Sequence, residues 1–167
     1  QSGKLPMKAR NKLLASMTNE VGELVLRHNY SQTQAISLEH AKGLHALDNQ
    51  HRLMRRLERS GRLDRSVEFL PDDEVLAERI TAKHGLYRPE ISVLLSYAKI
   101  WIYDELLAAD LPDDPYLFDD LLTYFPTPLR KTYRDGISKH RLRREIIVTR
   151  ITNDLVNRGG AAFVSEF

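Results

Sequence analysis

The 167-residue sequence contains no cysteine, which excludes disulfide frameworks, thiolate nucleophiles, zinc ribbons and iron–sulfur sites. This usage fits a reducing compartment, and we expect a cytoplasmic protein. No stretch approaches the roughly 18 consecutive apolar residues of a membrane span, so no membrane partner is expected. Lysine and arginine (25) nearly balance aspartate and glutamate (23), and a net charge of +2 predicts no polyanionic partner by itself.

Recognisable catalytic and binding motifs are also lacking. The eight glycines are scattered and form neither GxGxxG nor GxxxxGK[ST], which excludes the common phosphate-binding loops. The six histidines form no HExxH motif, and Asp48 with His51 supplies only two of the four ligands of a structural metal site. We therefore assign no catalytic residue, no cofactor-binding residue and no metal-binding residue.

Apolar residues recur at helical spacing along nearly the whole chain, and no segment shows the strict alternation of a β-strand. One N-terminal stripe, at 100° per residue, comprises Leu14, Met17, Val21, Leu24, Val25, His28 and Ala35. The stripe predicts one long helix, or two collinear helices interrupted near Thr18 or Gly22, with His28 as a packed core histidine. A second helix is predicted over about 44–59, ending at Ser60-Gly61.

Prolines mark the starts of further predicted helices, since a first-turn residue needs no N–H donor. They are Pro71, Pro89, Pro115 and Pro128. Asp114 and Thr127 precede two of these prolines and can cap first-turn amides with their side-chain oxygens. The connecting loops are short, which is typical of helices that are neighbours in a bundle.

The helix predicted from Pro89 to about Ala109 has apolar side chains around most of its circumference. Such a helix must be buried on most sides, and Trp101 is predicted to be a core anchor rather than a ligand platform. The sequence therefore predicts an all-α, bundle-like fold of about six to eight helices around this central helix (about 89–109). Residues 1–167 are expected to form a single helical domain.

Charge is arranged in opposite blocks near the C-terminus. Residues 100–129 hold seven acidic and no basic residues, whereas residues 130–150 hold eight basic and two acidic residues. We expect the two blocks to neutralise each other within the fold or across an interface. In a last helix predicted over about 137–157, Arg144 lies on an apolar line. It is predicted to be largely buried against a carboxylate, because an unpaired buried charge is costly.

A second basic run comprises Arg52, Arg55, Arg56, Arg59, Arg62 and Arg65. Four of these arginines share one side of a helix, an arrangement that can bind phosphate. The alternative is a solvated face paired with the acids at 68–78. The lack of interleaved surface aromatics favours the paired face, so nucleic acid is not an expected partner.

The two ends of the sequence indicate a fragment. Residue 1 is Gln rather than Met, and the first residues carry no secretion signal. Asn157-Arg158-Gly159-Gly160 is expected to stop a helix, and the apolar residues 161–167 that follow are typical of a segment leading into another element. We therefore expect the chain to be excised from a longer polypeptide.

Four segments resemble the C-terminal region of the large-class bacterial NAD-specific glutamate dehydrogenases. They are LLASMTNEVGELVLRHNYSQTQAISL (13–38), GRLDRSVEFLPDDEVLAER (61–79), RPEISVLLSYAKIWIYDELLAADLPDDPYLFDDLLTYFP (88–126) and HRLRREIIVTRITNDLVNRGG (140–160). His28 departs from the resemblance, since the family is expected to carry an acid before Asn29-Tyr30. The resemblance implies a parent enzyme that uses NAD to deaminate L-glutamate oxidatively to 2-oxoglutarate and ammonia.

In that family the catalytic lysine and the dinucleotide-binding fold lie N-terminal to this region, so no catalytic residue is carried over. The resemblance implies a noncatalytic helical domain that supports the catalytic domain, subunit assembly or regulation. The implied partners are the catalytic domain of the same chain and, in the parent, further copies in a homo-oligomer. NAD is the cofactor of the parent, and no cofactor is expected in the fragment.

Two alternatives remain open at this stage. One is a free-standing helical module that binds protein or nucleic acid through the arginine-rich faces at 52–65 and 139–150. The other is a pocket between helices that binds an anionic effector.

Overall fold

The structure is a computed structural model that describes residues 5–166, apart from the side chains of 162 and 166. Within this range it contains eight α-helices and no strand, which confirms the all-α prediction. In chain order, the helices are α1 (Met7–Ala41), α2 (Leu44–Arg59), α3 (Asp73–Thr81), α4 (Arg88–Ala108), α5 (Phe118–Tyr124), α6 (Thr127–Thr132), α7 (Arg134–Ser138) and α8 (Arg143–Glu166). Two 3-10 turns, Leu111–Asp113 and Pro115–Leu117, connect α4 to α5. Residue 1 and the last residue of the segment 161–167, on which the expectation of an excised fragment partly depends, lie outside the described residues.

The N-terminal helix α1 is one continuous helix of 35 residues, without a break at Thr18 or Gly22. Its C-terminal part enters the main core through Ala35 and Ile36. Earlier along the helix, His28 is exposed, so the prediction of a packed core histidine is wrong. The physical reason is that periodicity identifies an apolar stripe but not the element that covers it, and no described helix covers this part of the stripe.

The main core is formed by α2, α4 and the C-terminal part of α8, with contributions from α1 and α3. The buried residues of α4 are Ile91, Leu94, Leu95, Ala98 and Ile102. Trp101 packs against this core, as predicted for an anchor. Its indole nitrogen donates to Glu105 Oε1 (3.1 Å), and the Arg56 guanidinium lies 4.4 Å from its ring centroid. The packing confirms α4 as a central helix of the bundle.

A smaller core cluster joins α5, α7 and the first part of α8 around Leu121, Ile137 and Ile147. The prediction of one helix over 137–157 is wrong at its start, because α7 ends at Ser138 and α8 begins at Arg143. Ile137 still packs with the α8 residues because the chain turns between the two helices. Since Val156 of α8 lies in the main core, α8 links the two clusters.

Helix caps follow the sequence at one predicted position and depart from it at another. Asp114 accepts a hydrogen bond from the Tyr116 amide (2.8 Å), as expected. Thr127 is instead the first residue of α6, and its amide donates to both carboxylate oxygens of Glu20 in α1 (2.9 and 3.1 Å). Its hydroxyl also donates to Glu20 Oε1 (2.9 Å). The predicted Thr127 cap is wrong because a carboxylate distant in sequence takes that role.

A kink at Gly160 interrupts α8, where φ is 67° and ψ is −165°. This confirms the helix stop predicted at the glycine pair. Ala161 and Val164 after the kink are fully buried in the main core. The apolar tail, as far as the structure describes it, therefore packs into the main core. Within residues 5–166, we find no helix with the length and hydrophobicity of a membrane span.

Candidate functional site

Asp73, the first residue of α3, is contacted by two arginines of the run and by the neighbouring His51. Arg55 donates to its Oδ2 (2.5 Å), and Arg65 (2.9 Å) and His51 Nε2 (2.8 Å) reach its Oδ1. Arg65 is only 13% exposed and also donates to Glu58 Oε1 (2.8 Å). The network ties the start of α3 to the side of α2, so its chemistry is that of a structural ion cluster.

The other arginines of this run are engaged in a similar way. Arg52 pairs with Asp48 (3.0 Å), Arg62 pairs with the Asp104 carboxylate, and Arg56 stacks on Trp101. Five of the six guanidinium groups thus have an acidic or aromatic partner inside the fold. This supports a self-neutralised face, but of the acidic partners only Asp73 comes from the predicted range 68–78, whereas Asp48, Glu58 and Asp104 lie outside it. Among the described residues, no cluster of three or more His, Asp or Glu side chains could hold a metal ion.

The Asp73 network makes stability depend on pH. The Arg55, Arg65 and His51 hydrogen bonds hold the pKa of Asp73 well below its usual range. A carboxylate whose pKa is lower in the folded state than in the unfolded state stabilises the fold at pH values above its unfolded-state pKa, about 3.9 for aspartate. This stabilisation is lost as the pH falls from that value towards the folded-state pKa. We expect Asp73→Asn to be less stable than wild type near pH 6 in urea unfolding, with the difference shrinking progressively below about pH 4.

Asp48→Asn is the matched control, since Asp48 is 80% exposed and its ion pair, with Arg52, is formed along its own helix. We expect it to change stability little across the same pH range. A stability difference for Asp73→Asn that stays constant down to about pH 2 would show that the Asp73 charge does not contribute.

Arg144 connects the start of α8 to the end of α4. Its guanidinium pairs with the Asp113 carboxylate and donates to the carbonyls of Leu107 (2.8 Å) and Ala109 (3.0 Å). These carbonyls are at the C-terminal end of α4, where a cation is also favoured by the helix dipole. The predicted carboxylate partner is confirmed, and Asp113 belongs to the acidic block. The burial is less than predicted, because 32% of the side chain remains exposed.

Replacing Arg144 with methionine is expected to lower the free energy of unfolding by about 1–2 kcal/mol, because charged hydrogen bonds are lost at a partly screened site. Urea unfolding measures the change. Arg158→Met is the control, since Arg158 is 83% exposed and lies 3.9 Å from Asp154. It is expected to change stability by less than about 0.5 kcal/mol. Equal effects for the two variants would contradict the role of Arg144 as a link between helices.

The acidic block meets the basic block at two further points. Arg143 also pairs with Asp113 (2.6 Å), and Arg150 pairs with Asp120 (3.3 Å). The expected neutralisation of the two blocks within the fold is therefore observed for these pairs.

Glu39 is the most buried charged side chain of the described residues, at 2% exposure. Lys42 Nζ (2.7 Å) and Gln50 Nε2 (3.3 Å) donate to its carboxylate. It lies against Gly160, where a Cβ would overlap Glu39 Oε2. The carboxylate thus joins the end of α1, α2 and the kink of α8. Sequence reasoning missed Glu39, although its position one helical turn beyond Ala35 on the apolar stripe was an available indication.

An open cleft of about 350 Å³ adjoins this carboxylate, and its lining includes Lys42, Asn157 and Arg158. Lys42 is already paired with Glu39, while Arg158 extends into solvent. The groups present are one paired ion couple and one surface cation. They provide neither a nucleophile with its base nor a proton donor with a matched acceptor, so the cleft indicates no catalytic chemistry.

Comparison with known proteins finds two family matches. The family described as "Glutamate dehydrogenase, C-terminal" matches residues 83–167, and "Bacterial NAD-glutamate dehydrogenase, catalytic domain" matches residues 1–39. The second match covers nearly all of α1. The first covers α4 to α8, including the ties between α4 and α8.

The chain is also similar to three bacterial proteins named NAD-specific glutamate dehydrogenase. Identity is 51% over 99% of the chain for Pseudomonas aeruginosa, 46% over 97% for Halomonas elongata, and 35% over 97% for Mycobacterium tuberculosis. The chain spans about 10% of the length of each of these relatives. These matches confirm the resemblance seen in the sequence, and the chain belongs to the glutamate dehydrogenase C-terminal family.

Proposed function

We propose that this chain is a noncatalytic helical part of an NAD-dependent glutamate dehydrogenase. The complete enzyme would convert L-glutamate, NAD and water to 2-oxoglutarate, ammonia and NADH. The observation that carries the proposal is the similarity of nearly the whole chain to NAD-specific glutamate dehydrogenases, at 51% identity for the Pseudomonas aeruginosa protein. Each of these proteins is about ten times longer, which leaves ample chain for a separate catalytic apparatus.

The described residues do not fit NAD. A dinucleotide cradle needs a strand, a glycine-rich turn and a helix whose N-terminus meets the pyrophosphate. Residues 5–166 contain no strand, and the sequence has no GxGxxG. NAD would supply the hydride acceptor of the reaction elsewhere in the proposed parent. No step of hydride transfer is assigned to residues of this chain.

What the chain supplies is a rigid helical support. The α1 helix runs from a segment that matches the catalytic domain into the main core, and Arg144 and Asp113 fasten α8 to the end of α4. These features favour support of the catalytic domain over the other two roles, subunit assembly and regulation. We further propose the catalytic domain of the same chain as partner, a homo-oligomeric parent and a cytoplasmic location.

The test is an assay of the complete polypeptide that contains this region. With L-glutamate and NAD we expect NADH and 2-oxoglutarate in equal amounts, with little product when NADP replaces NAD. Failure to turn over glutamate, or a reading frame without an upstream nucleotide-binding domain, would overturn the proposal.

A further inference from the structure

The α1 helix leaves one apolar face uncovered by the described part of the chain. We call this face the α1 stripe. It consists of Met7 together with Leu14, Val21 and Val25, the exposed aliphatic residues of the periodic stripe noted in the sequence. Their exposures, in this order, are 65%, 45%, 43% and 53%. At 100° per residue these four side chains lie within about 40° of one another along the helix. A row of four aliphatic or thioether side chains without a charge is unfavourable in water, so the row is typical of a contact surface.

The stripe is separate from the surface that α1 uses inside this fold. Glu20, which caps α6, lies about 100° or more around the helix from the four stripe residues. Ala35 and Ile36, which enter the main core, lie further along the helix. A partner can therefore cover the stripe without displacing α6 or the core.

We infer that the α1 stripe packs against the catalytic domain, so that α1 is one helix shared by two domains. The inference rests on the proposed function, because it takes the partner from the same parent chain. The match to the catalytic-domain family ends at residue 39, close to the end of α1, and so assigns the stripe to that domain by sequence. The structure assigns the last turns of the same helix to the core of this domain.

A shared helix has a mechanical consequence. The continuous hydrogen bonding of α1 over 35 residues spans about 50 Å at 1.5 Å per residue. The two domains would then be joined by a stiff rod rather than by a flexible linker, and a rotation of one domain would be transmitted to the other.

The test compares two variants of the complete polypeptide. Val21→Asp combined with Val25→Asp places charges in the stripe. Tyr30→Asp is the matched control, because Tyr30 is 66% exposed on the same helix but lies roughly opposite the stripe. Amide hydrogen exchange of residues 14–25 is measured together with oligomeric state and the temperature at which glutamate-driven NADH formation is lost.

For the double variant we expect about tenfold faster exchange in residues 14–25 and a lower inactivation temperature, with neither change in Tyr30→Asp. Equal exchange in the double variant and the control would overturn the inference. Dissociation of the oligomer with unchanged exchange in the isolated subunit would also overturn it, because a second copy would then be the occupant. A complete chain without dehydrogenase activity would refute the proposed function, while the exchange data would still test the contact.

Discussion

Replacing Ile102 with alanine is expected to lower the free energy of unfolding by about 3 kcal/mol. Ile102 is 2% exposed and lies in the main core on the buried side of α4. Truncation would leave a cavity between packed helices that close-packed neighbours fill only in part, and this adds to the lost burial of the side chain. Urea unfolding followed by circular dichroism measures the change.

Ile100→Ala is the matched control in the same helix. Ile100 is 53% exposed, so its truncation is expected to cost less than about 1 kcal/mol. If the two variants lost the same stability, the orientation of α4 in the fold would be wrong.

Replacing Gly160 with alanine is expected to lower the free energy of unfolding by about 3 kcal/mol, for two reasons. Its φ of 67° and ψ of −165° fall in a region that is essentially restricted to glycine. A Cβ would also overlap Glu39 Oε2, which is held by Lys42 and Gln50. The alanine variant must therefore shift either the kink or the buried carboxylate, and urea unfolding reports the cost.

Gly22→Ala is the control for this prediction. Gly22 lies inside α1, and a Cβ there would meet no atom within 4 Å. Alanine is the better helix former, so this variant is expected to be more stable by about 0.5–1 kcal/mol. Destabilisation by both substitutions would mean that the effect at Gly160 does not arise from the kink.

Those parts of the fold that depend on local chemistry were predictable from the sequence. The bounds of α2 follow from its apolar spacing and from Gly61. The φ of Gly61 is 68°, a left-handed conformation that terminates the helix just after Ser60. The kink at Gly160 follows from the glycine pair. In each case a backbone preference of one or two residues decides the structure.

Features that depend on contacts between distant segments were not predictable. The Glu20 carboxylate reaches Thr127 across 107 residues of sequence, and nothing near Thr127 indicates that its cap comes from α1. Likewise, apolar periodicity continues through residues 139–142 although the chain turns there. Ile100 and Ile102 are the same residue type two positions apart, and only the packing of the folded chain makes one exposed and the other buried.

The candidate site shows the same division. A carboxylate partner for Arg144 was predictable, because an apolar helix line cannot hold an unpaired guanidinium and the acidic block lies nearby. The identity of that partner as Asp113, and the two α4 carbonyls, required the structure. Glu39 was missed because its importance arises from the approach of Gly160, which comes from the other end of the chain.

We propose that the described helices support the chemistry of a larger enzyme and perform none of it. The most direct measurement is NADH formation by the purified 167-residue polypeptide with L-glutamate and NAD, after circular dichroism has shown that it is helical. We expect no turnover from this polypeptide under conditions in which the complete chain is active. Glutamate-dependent NADH formation by the 167 residues alone would contradict it.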